Sequence, residues 1–222
     1  MKLLGKDINL IIFDLDGTLI DSTSLWSEID RDFFLRRGME IPPHYNEEIA
    51  HVGLDKAAYI TRTKYFPNEK EEDIIQEWKD MSLKAYQHEI PLKEHGDELL
   101  KLLKEKGVKL AIATANSKEL YEPCLKRLGI WDYFDFVIDV NSTKEGKNSP
   151  EIYDKAASMF NLTSENVVIF EDLYEAIMTA YNADYLTIGV YDKRSTKNID
   201  TIKKNSHLFI ESFEEIINEI KK

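Results

Sequence analysis

The chain has 222 residues, 43% apolar and 32% charged, enough to bury a sizeable core and too apolar for intrinsic disorder. Its 29 basic and 41 acidic residues leave a net charge of −12, which disfavours nucleic acid and anionic membrane surfaces as partners. One cysteine, Cys124, excludes an internal disulfide framework; with no signal-peptide core at the N-terminus and no run of about 18 apolar residues, the expectation is a cytoplasmic monomer.

Short apolar, β-branched runs alternate with amphipathic stretches along the chain. The first run, 8–13, is apolar on both faces, as a parallel strand between helix layers requires. From about residue 19 to 90 no strand pattern occurs. Helical periodicity covers 25–37, stopped by Gly38, then 47–51, 56–66 and 69–88, with Pro42-Pro43 and Pro67-Asn68 between them. A crossover connection needs little more than a dozen residues, so this stretch predicts a separate all-helical unit inserted after the first strand. A helix over 97–106 follows, with Leu99, Leu100, Leu102 and Leu103 on one face and Gly107 as its stop. Next come a strand at 108–113 and a helix at 119–128 that Pro123 should kink or delay. A strand at 136–138 precedes a helix opened by Ser149-Pro150, with Ile152, Ala156, Met159 and Phe160 inward. Strands at 167–170, 186–190 and 208–210 lead to a last helix, where Ser212 and Glu215 have capping-box spacing and Phe213, Ile216, Ile217 and Ile220 are apolar. The predicted class is α/β, a parallel sheet flanked by helices with an all-helical insert.

Four strand ends carry chemistry-bearing residues. The first is Asp14-Leu15-Asp16-Gly17-Thr18, two carboxylates one residue apart where α/β sheets place their ligands. By itself such a pair equally well shapes a turn. The second strand ends in Thr114-Ala115-Asn116-Ser117, a hydroxyl and amides at a helix start, suited to phosphate oxygens or to ordinary capping. Gly146-Lys147-Asn148 places a lysine in a tight loop before a helix, and Glu171-Asp172 ends a strongly apolar strand. Adjacent acids at the edge of a core are costly unless a positive partner meets them, and oxygen donors of this kind suit Mg²⁺.

These four elements, in this order, resemble the four motifs of the haloacid dehalogenase superfamily, and the helical insert resembles its C1 cap. The resemblance covers essentially the whole chain. It implies a Rossmann-like catalytic core over 1–17 and 91–222 and a cap domain over 18–90. It implies that Asp14 is a nucleophile forming an aspartyl-phosphate, and that Asp16 is the general acid–base. Thr114 with the Ala115 and Asn116 amides would hold phosphate oxygens, and Lys147 would neutralise charge. Mg²⁺ would be held by Asp14, the Asp16 carbonyl, Glu171 and Asp172. The partner would be a small phosphorylated metabolite. The chain departs from the family pattern at Leu173, Ala176 and Ala183-Asp184, and at His95-Gly96, where the family has Pro-Gly; those sites govern packing and turns.

An acid at Asp16 favours phosphate esters over halides, since halide leaves without a proton. Within the superfamily the chain looks most like the β-phosphoglucomutase and phosphoglycolate phosphatase branch. The reading is a Mg²⁺-dependent phosphatase, with a phosphosugar isomerase as the alternative. A non-catalytic phospho-ligand sensor would lack Asp14, Asp16 or Lys147, and all are present. In the mutase branch a histidine follows five residues after the acid matching Asp21; here that residue is Trp26. Gly53-Leu54-Asp55-Lys56 resembles a substrate-contacting cap loop, which makes Lys56 a candidate contact. Trp26 and Trp78 are expected to pack in the small helical unit, and Tyr45 and His51 stay open between packing and substrate contact. Cys124 reads as buried packing.

Overall fold

The structure, a computed structural model, describes residues 1–49 and 54–222, so His51 and Gly53 lie outside the described residues. The chain divides into two compact units, 1–23 with 90–222, and 24–89. It opens with a two-residue hairpin, β1 (Lys2–Leu3) against β2 (Lys6–Asp7), whose Leu4-Gly5 turn has positive φ at both residues. Strand β3 (Leu10–Phe13) follows, buried along its whole length.

Helices α1 (Leu25–Arg36), α2 (Tyr45–Ile49), α3 (Leu54–Lys64) and α4 (Glu71–His88) make up the unit 24–89. Its centre is aromatic: Phe33 lies 5.5 Å from Trp78 and 5.6 Å from Phe66, and Phe34 lies 4.7 Å from Tyr45. The Tyr45 hydroxyl is satisfied by Thr61 at 2.8 Å, so Tyr45 serves this core. Arg37 closes one side, its guanidinium 3.6 Å from the Phe33 ring centroid and forked onto Glu69 at 2.6 and 2.7 Å. Trp26, expected to pack here, is instead 50% exposed, because the helix buries the Leu25, Ile29 and Phe33 face beside it.

The remaining elements alternate. Helix α5 (Gly96–Glu105) ends at Gly107, whose φ of 73° needs no Cβ to be accommodated. Then come β4 (Lys109–Thr114), α6 (Lys118–Arg127), β5 (Phe136–Asp139), α7 (Glu151–Ser158), β6 (Val167–Glu171), α8 (Tyr174–Asn182), β7 (Leu186–Val190), α9 (Ile199–Asn205), β8 (Leu208–Ile210) and α10 (Phe213–Lys221). Pro123 lies inside α6 and does not delay its start; burial of Tyr121, Cys124 and Leu125 holds the turn that the missing N–H weakens. Helix α7 begins after Pro150, with Ser149 Oγ accepting the Glu151 N–H at 3.3 Å. Met159 falls beyond its end and is 59% exposed rather than inward, whereas Phe160 packs on the core. Helix α10 has the full Ser212–Glu215 capping box.

Six strands form one parallel sheet in the order β5-β4-β3-β6-β7-β8, a Rossmann-like α/β core. The central strand β3 pairs with β4 on one side and β6 on the other, with Phe13 level with Ile112 and Phe170. The C-terminal ends of these three strands therefore lie side by side. Among the described residues no helix is long and apolar enough to cross a membrane.

Candidate active site

Asp14 is the first residue beyond β3, and its N–H still donates to Phe170 O of β6 at 2.9 Å. Stacking of Phe13 on Phe170, 4.7 Å between centroids, locks the two strand ends at one level. The chain then turns through Gly17, at a φ of 88°, whose N–H reaches Ile20 O at 3.0 Å. This tight turn follows the two aspartates, which only Leu15 separates. Asp14 is 6% exposed; Asp16 is half-buried on the other side of Leu15.

Lys147 Nζ donates to Asp14 Oδ1 and, at 2.7 Å, to Glu171 Oε2. Glu171 is 1% exposed and also accepts the Asp172 and Leu173 N–H groups, each at 3.2 Å. Burial, then the Asp14 charge, pushes the Glu171 carboxyl up to about 7 despite the pull of Lys147. Burial would lower the Lys147 pKa, but Asp14 and Glu171 outweigh it and hold the ammonium well above its ordinary value. Among its contacts, Asp16 accepts from Ser22 Oγ at 2.7 Å and from the Asn116 side-chain amide.

Asp172 is fully buried at the end of β6, and Thr18 Oγ1 donates to its Oδ1 at 3.0 Å. Asp14, Glu171 and Asp172 each offer a carboxylate oxygen, all within 4.8 Å of one another. Three buried carboxylates beside the Lys147 ammonium are a donor set that fits a hard divalent cation, which would add positive charge to the cluster. Tyr153 of α7, 1% exposed, adds a hydroxyl without a hydrogen-bond partner among the described residues, and burial and then the Glu171 charge raise its pKa.

Thr114 ends β4 with its hydroxyl accepting the Asn116 N–H at 3.0 Å, a closed turn at the start of α6. Ala115 is exposed and, with Lys147, lines a cleft of about 750 Å³ that also includes Asn141, Thr143 and Leu173. The structure thus gathers Asp14, Lys147, Glu171 and Asp172 directly, and Asp16 with Asn116 beside them. Lys56 belongs to the other unit, exposed on α3 with its ammonium 4.7 Å from the Tyr59 ring centroid. Sequence reading missed Thr18, Ser22 and the Asn116 side chain as partners of the acids. Hydroxyls at fixed offsets from the Asp-x-Asp-Gly-Thr loop were the available signal.

The model of the haloacid dehalogenase-like hydrolases matches residues 11–190. The chain belongs to this family. Among haloacid dehalogenase-like proteins it is 28% identical to the phosphorylated carbohydrates phosphatase of Thermotoga maritima, over 78% of this chain and 80% of that one. It is likewise 28% identical to the phosphoglycolate phosphatase of Neisseria meningitidis, over 83% and 81%. A Thermotoga maritima structure provisionally assigned as a β-phosphoglucomutase superposes with a TM-score of 0.84 at 25% identity, covering 96% of this chain and 99% of that one. The matched span runs from β3 to the end of β7 and so takes in the acidic loop after β3, Lys147 and the Glu171-Asp172 pair.

Proposed function

We propose that the chain is a Mg²⁺-dependent phosphatase that hydrolyses a small phosphorylated metabolite, a sugar phosphate or similar phosphomonoester, through an aspartyl-phosphate on Asp14. The observation that carries the reading is the clustering of Asp14 with Lys147, Glu171 and Asp172 at adjacent strand ends, with Asp16 two residues on accepting from Ser22 and Asn116. In this reading Asp14, grouped with Lys147, Glu171 and Asp172, is the nucleophile, and Asp16, two residues on, is the acid–base.

Asp14 attacks phosphorus in line, and Asp16 protonates the departing oxygen. Asp16 then takes the proton of the water that hydrolyses the acyl phosphate. Thr114 Oγ1 and the amides of Ala115 and Asn116 bind the non-reacting oxygens, for which the Asn116 amide exchanges its present bond to Thr114. Lys147 offsets the charge of Asp14 and of the transferred group, the main catalytic demand of phosphoryl transfer. Asp14, Glu171, Asp172 and the Asp16 carbonyl are the ligands for Mg²⁺, which when bound neutralises phosphate oxygens as a Lewis acid. The helical unit 24–89 serves as the cap, and Lys56 is the candidate substrate contact it carries.

The relatives' phosphatase names support the substrate class. The similarity to a provisionally assigned β-phosphoglucomutase keeps the isomerase reading in play. Trp26 weighs against it, since an indole cannot relay a proton. A panel of sugar, nucleotide and glycolate phosphates, assayed with Mg²⁺ and with EDTA, tests the proposal. Phosphate release from at least one monophosphate is expected, abolished by EDTA and by Asp14→Asn. Conversion of β-glucose 1-phosphate to glucose 6-phosphate faster than phosphate release, with catalytic glucose 1,6-bisphosphate, would establish the isomerase instead.

A further inference from the structure

A second polar junction lies in the unit 1–23 with 90–222, beside the metal-ligand candidates. Asp192 follows β7 and is 4% exposed. Thr23 Oγ1 donates to its Oδ2 at 2.5 Å, and Lys93 Nζ lies 3.3 Å from the same oxygen while donating to Tyr191 O at 2.7 Å. Thr23 and Lys93 stand on the two chain passes that lead into and out of the 24–89 unit. Those passes are paired with each other: Asp21 N–H reaches Pro91 O at 3.0 Å and Lys93 N–H reaches Leu19 O at 2.9 Å.

The same junction reaches back to the site. After Asp192 the chain enters a tight 3₁₀ turn, Lys193–Asn198, and Ser195 N–H donates to Asp192 O at 3.1 Å. Ser195 Oγ then donates to the backbone carbonyl of Asp172 at 2.6 Å, with Ser195 7% exposed and Asp172 fully buried. Asp172 is therefore held both at its carboxylate, by Thr18, and at its carbonyl, by Ser195. The Ser195 bond fixes the backbone from which the Asp172 side chain projects, and the Thr18 bond fixes the orientation of the carboxylate itself.

We propose that Ser195 is a positioning residue for the Asp172 carboxylate, and that Asp192 couples it to the two chain passes through Thr23 and Lys93. The proposal rests on the reading of Asp172 as a cation ligand. It makes cation binding dependent on groups that touch neither cation nor substrate. Partners of metal ligands at this remove typically change metal affinity by about 10–100-fold when removed.

The test is calorimetric titration of Mg²⁺ into metal-free enzyme without substrate, for the wild type, Ser195→Ala, Ser195→Thr, Thr23→Val and the double variant Ser195→Ala with Thr23→Val. Ser195→Ala is expected to weaken Mg²⁺ binding about tenfold, with Ser195→Thr restoring it. Thr23→Val is expected to weaken it less, and the double variant to bind no worse than Ser195→Ala alone, because both act through one junction. Should Ser195→Ala fail to fold, Asp192→Asn, which keeps the side-chain shape, carries the same expectation of weaker Mg²⁺ binding. Wild-type affinity in Ser195→Ala, or independent losses that multiply in the double variant, would overturn the positioning role while leaving the phosphatase reading intact. Absence of Mg²⁺ binding by the wild type would remove that reading, and this proposal with it.

Discussion

Lys147→Met removes the one ammonium shared by Asp14 and Glu171, whose side chains are 7% and 1% exposed. Breaking a buried ion pair by deleting one partner costs about 3–5 kcal/mol, because the remaining charge stays desolvated. Here the cost depends on pH through Glu171, whose folded pKa of about 7 stands above its ordinary 4.5. The folded chain keeps that proton longer than the unfolded chain, so metal-free stability falls as pH rises from 4.5 through 7, by about 3 kcal/mol in all. Without Lys147 the Glu171 pKa climbs further, and the decline continues above pH 7. Near pH 5 Glu171 is protonated in both proteins, which leaves the loss of the Asp14 contact, about 1.5–3 kcal/mol. At pH 8.5 the full 3–5 kcal/mol applies, a urea midpoint lowered by about 1–2 M. Urea unfolding in EDTA at pH 5, 7 and 8.5, followed by far-UV circular dichroism, measures the difference. A deficit independent of pH, or a variant as stable as the wild type at pH 8.5, would refute the charge balance drawn for this site.

Asp16→Asn should lower turnover by about 10²–10⁴, the worth of a positioned general acid–base, and should harm poor leaving groups more than p-nitrophenolate; steady-state rates on a leaving-group series check this. Mg²⁺ at about 100 times its Kd should stabilise the folded chain by about 2.7 kcal/mol, raising Tm by about 5–10 °C, whereas Ca²⁺ should bind and inhibit because its larger shell misplaces Asp14. Thermal shift and competition assays report both, and full activity in excess EDTA would rule out the metal site. In the helical unit, Arg37→Ala should cost about 2–4 kcal/mol by removing the fork on Glu69, the Glu77 contact and the stack on Phe33. Arg37→Lys should recover only part of this in chemical denaturation, since an ammonium lacks the planar fork.

Much of the architecture is legible in the sequence because its signals are local. The apolar runs that become β3, β4, β6 and β7 need no knowledge of their partners, and Ser212 with Glu215 announces the α10 cap within four residues. The acidic loop after β3 is legible for the same reason. Lys147 is different, since a lone lysine in a polar loop carries no mark of the two buried carboxylates it meets. The Thr18–Asp172 bond spans 154 residues, and the hydroxyl alone gives no hint of it. Side-chain facing at helix ends was also hidden: Met159 continues the apolar period of α7 but lies past its last turn. The hairpin at the N-terminus escaped because two-residue strands are too short to show a period.

The central position of β3 has a consequence for how the enzyme is made. Asp14 emerges early from the ribosome, but its partner Lys147 lies 133 residues later, and the strand that flanks β3 on its far side is 167–171. A nascent chain shorter than that carries Asp14 at the end of a strand with one edge unpaired. Parallel pairing over such a separation is slow to form, because the entropy of closing the long loop is lost before the contacts are gained. The active centre is consequently among the last features to exist. Any chain cut short before β6 has no catalytic function to misplace, and one released with β6 unpaired exposes the apolar edge that chaperones recognise.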